Sequence, residues 1–97
     1  MWAVRFSGKV KKQTVKLPPK IRDGFKLLIK ELQLLGPVLS QWPNFAKISE
    51  KSQCYHCHLK KGRPTYVAIW QAKENEIKVI EVRYVGPHEN ADYSRLC

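Results

Sequence analysis

Residues 54–70 read Cys-Tyr-His-Cys-His-Leu-Lys-Lys-Gly-Arg-Pro-Thr-Tyr-Val-Ala-Ile-Trp, two strand-like runs around a cationic turn at Lys60, Lys61, Gly62, Arg63 and Pro64. In the first run, alternation puts Cys54, His56 and His58 on one face and Tyr55, Cys57 and Leu59 on the other, and the second set is the expected core. The next run, 65–72, sets Thr65, Val67 and Ile69 opposite Tyr66, Ala68 and Trp70. A polar turn at 73–75 then leads into a further strand over 76–85, where Ile80, Val82 and Tyr84 are expected to face the core and Glu81 and Arg83 the other side. Strands joined by turns this tight form an antiparallel meander.

Upstream, residues 2–6 alternate apolar Trp2, Val4 and Phe6 with Ala3 and Arg5, the pattern of a first strand. Ser7 is placed to cap a short helix over 8–17, with Val10, Thr14 and Leu17 on one face and Lys9, Lys11, Lys12 and Lys16 around the rest. Leu17-Pro18-Pro19 breaks it, and a proline is tolerated in a first helical turn, so a second helix can begin at once. Ile21, Phe25, Leu28, Ile29, Leu32 and Leu35 follow helical spacing up to Gly36-Pro37. Residues 38–53 show no regular pattern and are expected to form a basic loop carrying Lys47 and Lys51, tucked onto the sheet edge by Phe45 and Ile48. The tail from Gly86 to Cys97 is too polar and short to be an element of its own. The order strand, helix, helix, three strands predicts one two-layer α+β domain over 1–97, with the first strand at the sheet's edge and both helices on one face.

The chain has 97 residues and 11.3 kDa, enough for a single small domain. Eighteen Lys and Arg against eight Asp and Glu give a formal charge of +10. Such a field attracts polyanions and makes binding salt-dependent, so nucleic acid is the expected partner. No apolar run reaches the roughly 20 residues of a membrane span, and the N-terminus lacks the pattern of a signal peptide. A cytoplasmic protein with no membrane partner is the expectation. The three cysteines are then expected to be reduced thiols. A zinc reading of Cys54, His56, Cys57 and His58 has alternation against it, because in a strand Cys57 points away from the other three and no second ligand pair follows at finger spacing; His88 and Cys97 could complete a site only by folding back.

The element order and the closing Tyr84-Val85-Gly86-Pro87-His88-Glu89, then Asp92-Tyr93, resemble the RelE/ParE superfamily of toxins from toxin–antitoxin pairs, in its RelE- and HigB-type messenger-RNA endonuclease branch. The resemblance implies a RelE-like fold and ribosome-dependent mRNA cleavage without metal or other cofactor. A ribose 2′-hydroxyl attacks the adjacent phosphate and leaves a 2′,3′-cyclic phosphate and a 5′-hydroxyl. It also implies a cognate antitoxin, with the ribosome and mRNA as the other partners. By position, His88 stands where relatives hold a catalytic Arg or His, and Tyr93 stands near the family's C-terminal tyrosine. The sequence departs from the RelE pattern at the start of the third strand, where Thr65 and Tyr66 replace an expected arginine; Arg63 and Arg83 are the two available substitutes.

Such cleavage needs a base, an acid and positive charge on the transition state. Histidine serves either proton role, because its pKa lies near about 6.5. His88 is the first candidate, and His56 or His58 on the open face the second. Arg63, Lys60 and Lys61 are expected to bind the backbone, with Arg63 suited to bidentate phosphate contact. Lys47 adds charge beside them. Arg83 either stabilises charge or pairs with Glu81. Tyr66, Trp70 and Tyr93 are candidates for base stacking, and Trp70 is equally a candidate for the core. The hairpin alone therefore supplies phosphate contacts and needs the tail for its proton chemistry. The competing readings are a ParE-like inhibitor of DNA gyrase, which needs no acid–base set, and a non-catalytic RNA-binding domain.

Overall fold

A computed structural model describes residues 1–49, 52–60 and 64–97. The elements are β1 (Ala3–Phe6), α1 (Gly8–Val15), α2 (Pro19–Leu35), β2 (Ala46–Lys47), β3 (Cys54–Lys60), β4 (Tyr66–Ala72) and β5 (Val79–Pro87). A 3-10 turn (His88–Asn90) and a last short helix, α3 (Tyr93–Leu96), complete the chain. The sheet runs β1-β5-β4-β3-β2, with β1 parallel to β5 and every other pair antiparallel. The meander, the edge position of the first strand and the two-layer α+β arrangement are as the sequence predicts.

Local chemistry sets the helices. The Ser7 hydroxyl accepts the Val10 N–H at 3.2 Å and caps α1. Helix α1 ends at Val15, two residues short of the predicted end, and Leu17 is nonetheless buried just beyond it. Pro19 opens α2, which buries Ile21, Phe25, Leu28 and Leu32 on one stripe. Leu35 fits that spacing but is 59% exposed. The helix stops at Gly36, whose φ of 89° favours glycine and where a β-carbon would sit 2.9 Å from the Trp2 indole nitrogen.

The core between helices and sheet holds Val10, Leu28, Leu32, Leu39, Tyr55, Cys57, Ala68, Trp70, Ile80, Val82 and Val85, among others. Trp70 is fully buried, with its indole N–H donating to the Pro37 carbonyl at 2.9 Å, so it is core and offers no stacking surface. Tyr66 also lies on this side, half-buried against the same cluster. The predicted loop over 38–53 contains β2, whose Ala46 and Lys47 pair with His56 and Tyr55. Phe45 stacks on Tyr55 with ring centroids 5.5 Å apart.

One strand departs from the predicted alternation. The β4–β5 register steps from Ile69↔Tyr84 to Trp70↔Val82, leaving Arg83 as the extra residue of a bulge. Ile80 and Val82 face the helices as expected, but Tyr84 falls on the opposite face, in a second cluster with Cys54, Val67 and Ile69. Ile48, Ala91, Tyr93 and Leu96 pack onto that cluster. The tail therefore does form structure and covers part of the face expected to be open. A disulfide joins Cys54 to Cys97 across 43 residues, with α-carbons 6.1 Å apart. Two of the three cysteines are thus paired rather than reduced. In the chain-entropy picture such a closure contributes about 4 kcal/mol. Cys57 remains a free thiol, buried and pushed up to about 12 by desolvation and by Glu31.

The burial contrast along α2 is directly testable. Leu28→Ala is expected to destabilise the domain by about 2–5 kcal/mol, and Leu35→Ala by no more than about 0.5 kcal/mol, measured by urea unfolding of each variant.

Candidate functional site

Strand alternation puts His56 and His58 on the face of β3 away from the helices, and their ring centroids lie 6.0 Å apart. His58 pairs with Val67, and Val67 pairs with Gly86, two residues before His88. The His58 and His88 rings are accordingly 5.9 Å apart, edge to face. The His88 N–H donates to the Thr65 carbonyl at 2.7 Å, fixing the start of the tail on the end of β4. Helix α3 returns Tyr93 over the same face, 5.2 Å from His56 and 6.0 Å from His88. Four residues that the sequence singled out separately thus form one ring cluster.

The geometry upstream of His88 depends on Gly86. A β-carbon there would sit 2.7 Å from the Tyr84 hydroxyl oxygen. That hydroxyl donates to the Pro87 carbonyl at 2.7 Å, in the turn that delivers His88.

Two polar atoms in the cluster are buried without a hydrogen-bond partner among the described residues: His56 Nδ1 and the Tyr93 hydroxyl. Each such atom costs on the order of 1–3 kcal/mol. Burial, then the nearby His58 and His88, hold the His56 imidazole below its ordinary value. Burial alone raises the Tyr93 hydroxyl above its ordinary value, so it stays protonated.

The cations are distributed less evenly than the sequence suggested. Arg83 donates to Glu81 at 2.5 Å and to the Leu96 carbonyl at 3.1 Å, so it is held in an ion pair and in the docking of the tail. Lys60 is exposed at the end of β3, and Lys47 is exposed on the short edge strand β2. Arg63 and Lys61 lie outside the described residues. Tyr66 is on the other face of the sheet, where it lines a cleft of about 750 Å³ with Lys9, Lys16, Gly86, Asn90 and Arg95. The basic character of α1 signalled Lys9 and Lys16 only as charge; the cleft arises from the fold of the tail. Cys54–Cys97 was missed because an odd cysteine count gives no pairing, although Cys54 shares the histidine face by alternation.

Among the described residues, no group of three or more His, Cys, Asp or Glu is arranged to hold a metal ion. Nor is any helix among them long and apolar enough to cross a membrane.

The lowered His56 value carries a stability consequence. The unfolded chain takes up the His56 proton near the ordinary 6.5 while the folded chain resists it until lower pH. Stability is therefore full above about 6.5 and falls as the pH drops towards the folded value. Urea unfolding at about pH 7.5 and about pH 5 is expected to show a loss in the native protein that is smaller in His56→Gln. An equal loss in both would exclude His56 as its source.

No protein-family model matches the chain, and no curated protein does at significance. Solved structures share its fold, among them the following two. One is a double arginine mutant of the E. coli toxin RelE in the free state, at 18% identity and TM-score 0.71, covering 97% of this chain and 90% of that one. The other is the YoeB–YefM complex from Staphylococcus aureus, at 13% identity and TM-score 0.65, covering 91% of this chain and 98% of the matched one. The architecture is that of a RelE-like α+β domain.

Proposed function

We propose that this chain is the toxin of a RelE-type toxin–antitoxin pair and acts as a ribosome-dependent mRNA endonuclease. The observation that carries the reading is the cluster of His56, His58, His88 and Tyr93, with its two unpartnered polar atoms, on the face away from the helices. The likeness in fold to the toxin RelE and to the YoeB–YefM complex supports it, as does the formal charge of +10.

In this reading His56, kept neutral by its burial and its imidazole neighbours, is the base. It takes the proton of a ribose 2′-hydroxyl as that oxygen bonds to the adjacent phosphorus. The bond from phosphorus to the 5′ oxygen breaks, and the leaving oxygen receives a proton from His88 or from the Tyr93 hydroxyl. The products are a 2′,3′-cyclic phosphate and a 5′-hydroxyl, with no change in the number of protons. Lys60, Lys61 and Arg63 hold the phosphates, and Lys47 extends the basic track. A cognate antitoxin is the expected protein partner, and the positive charge favours an acidic segment on it.

Purified protein incubated with translating ribosomes is expected to give mRNA fragments with these ends. His56→Ala and His88→Ala are each expected to lower the rate by about 10²–10⁴-fold. Arg63→Ala should weaken cleavage and relieve growth arrest on expression. Full toxicity of both His88→Ala and Arg63→Ala would remove these residues from the site. Stalled gyrase–DNA breaks without RNA cleavage would instead identify a ParE-like inhibitor, and RNA binding without cleavage a plain binding domain.

A further inference from the structure

The last segment of the chain supplies Tyr93 to the ring cluster, and its attachment is slender. Ala91, Tyr93 and Leu96 rest on Cys54, Val67, Ile69 and Tyr84. The Leu96 carbonyl accepts from Arg83. The Tyr93 hydroxyl makes no hydrogen bond within the described residues, so nothing polar on its own ring aims it. Helix α3 has only four residues and no side-chain cap hydrogen bond at Asp92, too short to hold its shape unaided. The covalent tie is Cys97, one residue beyond the helix, bonded to Cys54 two positions before His56 on the same face of β3. The bond thus fixes the far end of the segment against the strand that carries the histidine.

We propose that the Cys54–Cys97 disulfide is a redox-dependent positioning device that holds Tyr93 against His56, so that the oxidised protein has the complete site and the reduced protein does not. The proposal rests on the ribonuclease reading above and adds its regulation. Cys97 is exposed and Cys54 fully buried, so a small dithiol reaches the pair from the Cys97 side. One of its thiolates attacks the Cys97 sulfur, forming a mixed disulfide and expelling the Cys54 thiolate, which takes up a proton. The second thiol of the reagent then displaces Cys97 as a thiol and closes the reagent into a cyclic disulfide. Two electrons and two protons pass from dithiol to protein. Cys57 takes no part, since its buried thiol stays protonated. Neither cysteine touches a reacting atom; both act through Tyr93.

The experiment compares the air-oxidised chain, the same chain treated with dithiothreitol, and Cys97→Ser, each with and without Tyr93→Phe. A thiol titration in denaturant rising from one to three, for the free Cys57 and then all three cysteines, establishes reduction. Cleavage of ribosome-bound mRNA is expected to lose about 10²-fold in kcat on reduction or in Cys97→Ser, the scale of a misplaced reacting group. Substrate KM should hold, and reoxidation should restore the rate. Tyr93→Phe should lower kcat in the oxidised chain and add almost nothing in the other two, because the ring is already out of place. A nuclear Overhauser contact between the Tyr93 and His56 rings should be present in the oxidised chain and lost on reduction. Persistence of that contact after reduction overturns the proposal. So does an equal effect of Tyr93→Phe in all three backgrounds. If no form cleaves RNA, the ribonuclease reading falls, and the ring contact alone then decides for or against the positioning device.

Discussion

The bulge at Arg83 is the constraint on which the arrangement of this protein turns. A strict alternation through β5 would send Ile80, Val82 and Tyr84 to the helices together. One extra residue reverses the phase after Val82, so Val85 returns to the core and Tyr84 crosses to the other side. There its hydroxyl reaches the Pro87 carbonyl and turns the chain towards His88. The displaced Arg83 reaches both Glu81 and the Leu96 carbonyl. The same single-residue insertion therefore aims the histidine and provides a polar anchor for the segment that brings Tyr93. Bulges beside functional sites commonly re-aim a side chain in this way.

The two faces of the sheet solve different problems. The helix side is filled by large apolar groups and satisfies its one buried indole N–H through Pro37. The opposite side has only a small apolar patch, and the groups around it are titratable: three imidazoles and a phenol, each with its ring centroid 5.2–6.0 Å from two of the others. Clustered imidazoles cannot all carry charge cheaply, and burial, then the nearby His58 and His88, push the His56 value down. Under the proposed ribonuclease reading, a neutral imidazole in a chain of charge +10 suits polyanion chemistry, since the surrounding charge would gather phosphate while the imidazole stays free to accept a proton.

Most of the frame was legible in the sequence because it follows short-range rules. Alternation assigned the faces of β3 and β4 correctly, and helical spacing found four of the buried residues of α2. Leu35 obeyed the same spacing and is nonetheless exposed at the last position of the helix. Tyr84 went astray because a bulge is a property of two strands in register, and no periodicity within one strand reveals it. Alternation put Trp70 and Tyr66 on one face with Ala68 without saying which face met the helices, so stacking and burial stayed open for these rings until the sheet was packed. The joining of His56, His58, His88 and Tyr93 into one cluster requires three chain segments to meet, which the order of elements allowed but did not specify.

The Cys-His run that opens the hairpin illustrates how a motif is divided by the pleat. Read linearly, Cys54, His56, Cys57 and His58 look like a single ligand set. The strand distributes them instead: Cys57 goes to the core, where desolvation leaves an unreactive thiol. The two histidines go to the open face. Cys54 goes to the same face, but its partner is the far end of the chain, 43 residues away. A metal site would need these donors to converge, whereas the pleat separates one and the disulfide consumes another. What remains on the open face is imidazole and phenol, groups whose ordinary chemistry is proton transfer. The proximity of Cys54 to His56 matters for a different reason than ligation: closing the chain at that point brings the C-terminal aromatic onto the histidine.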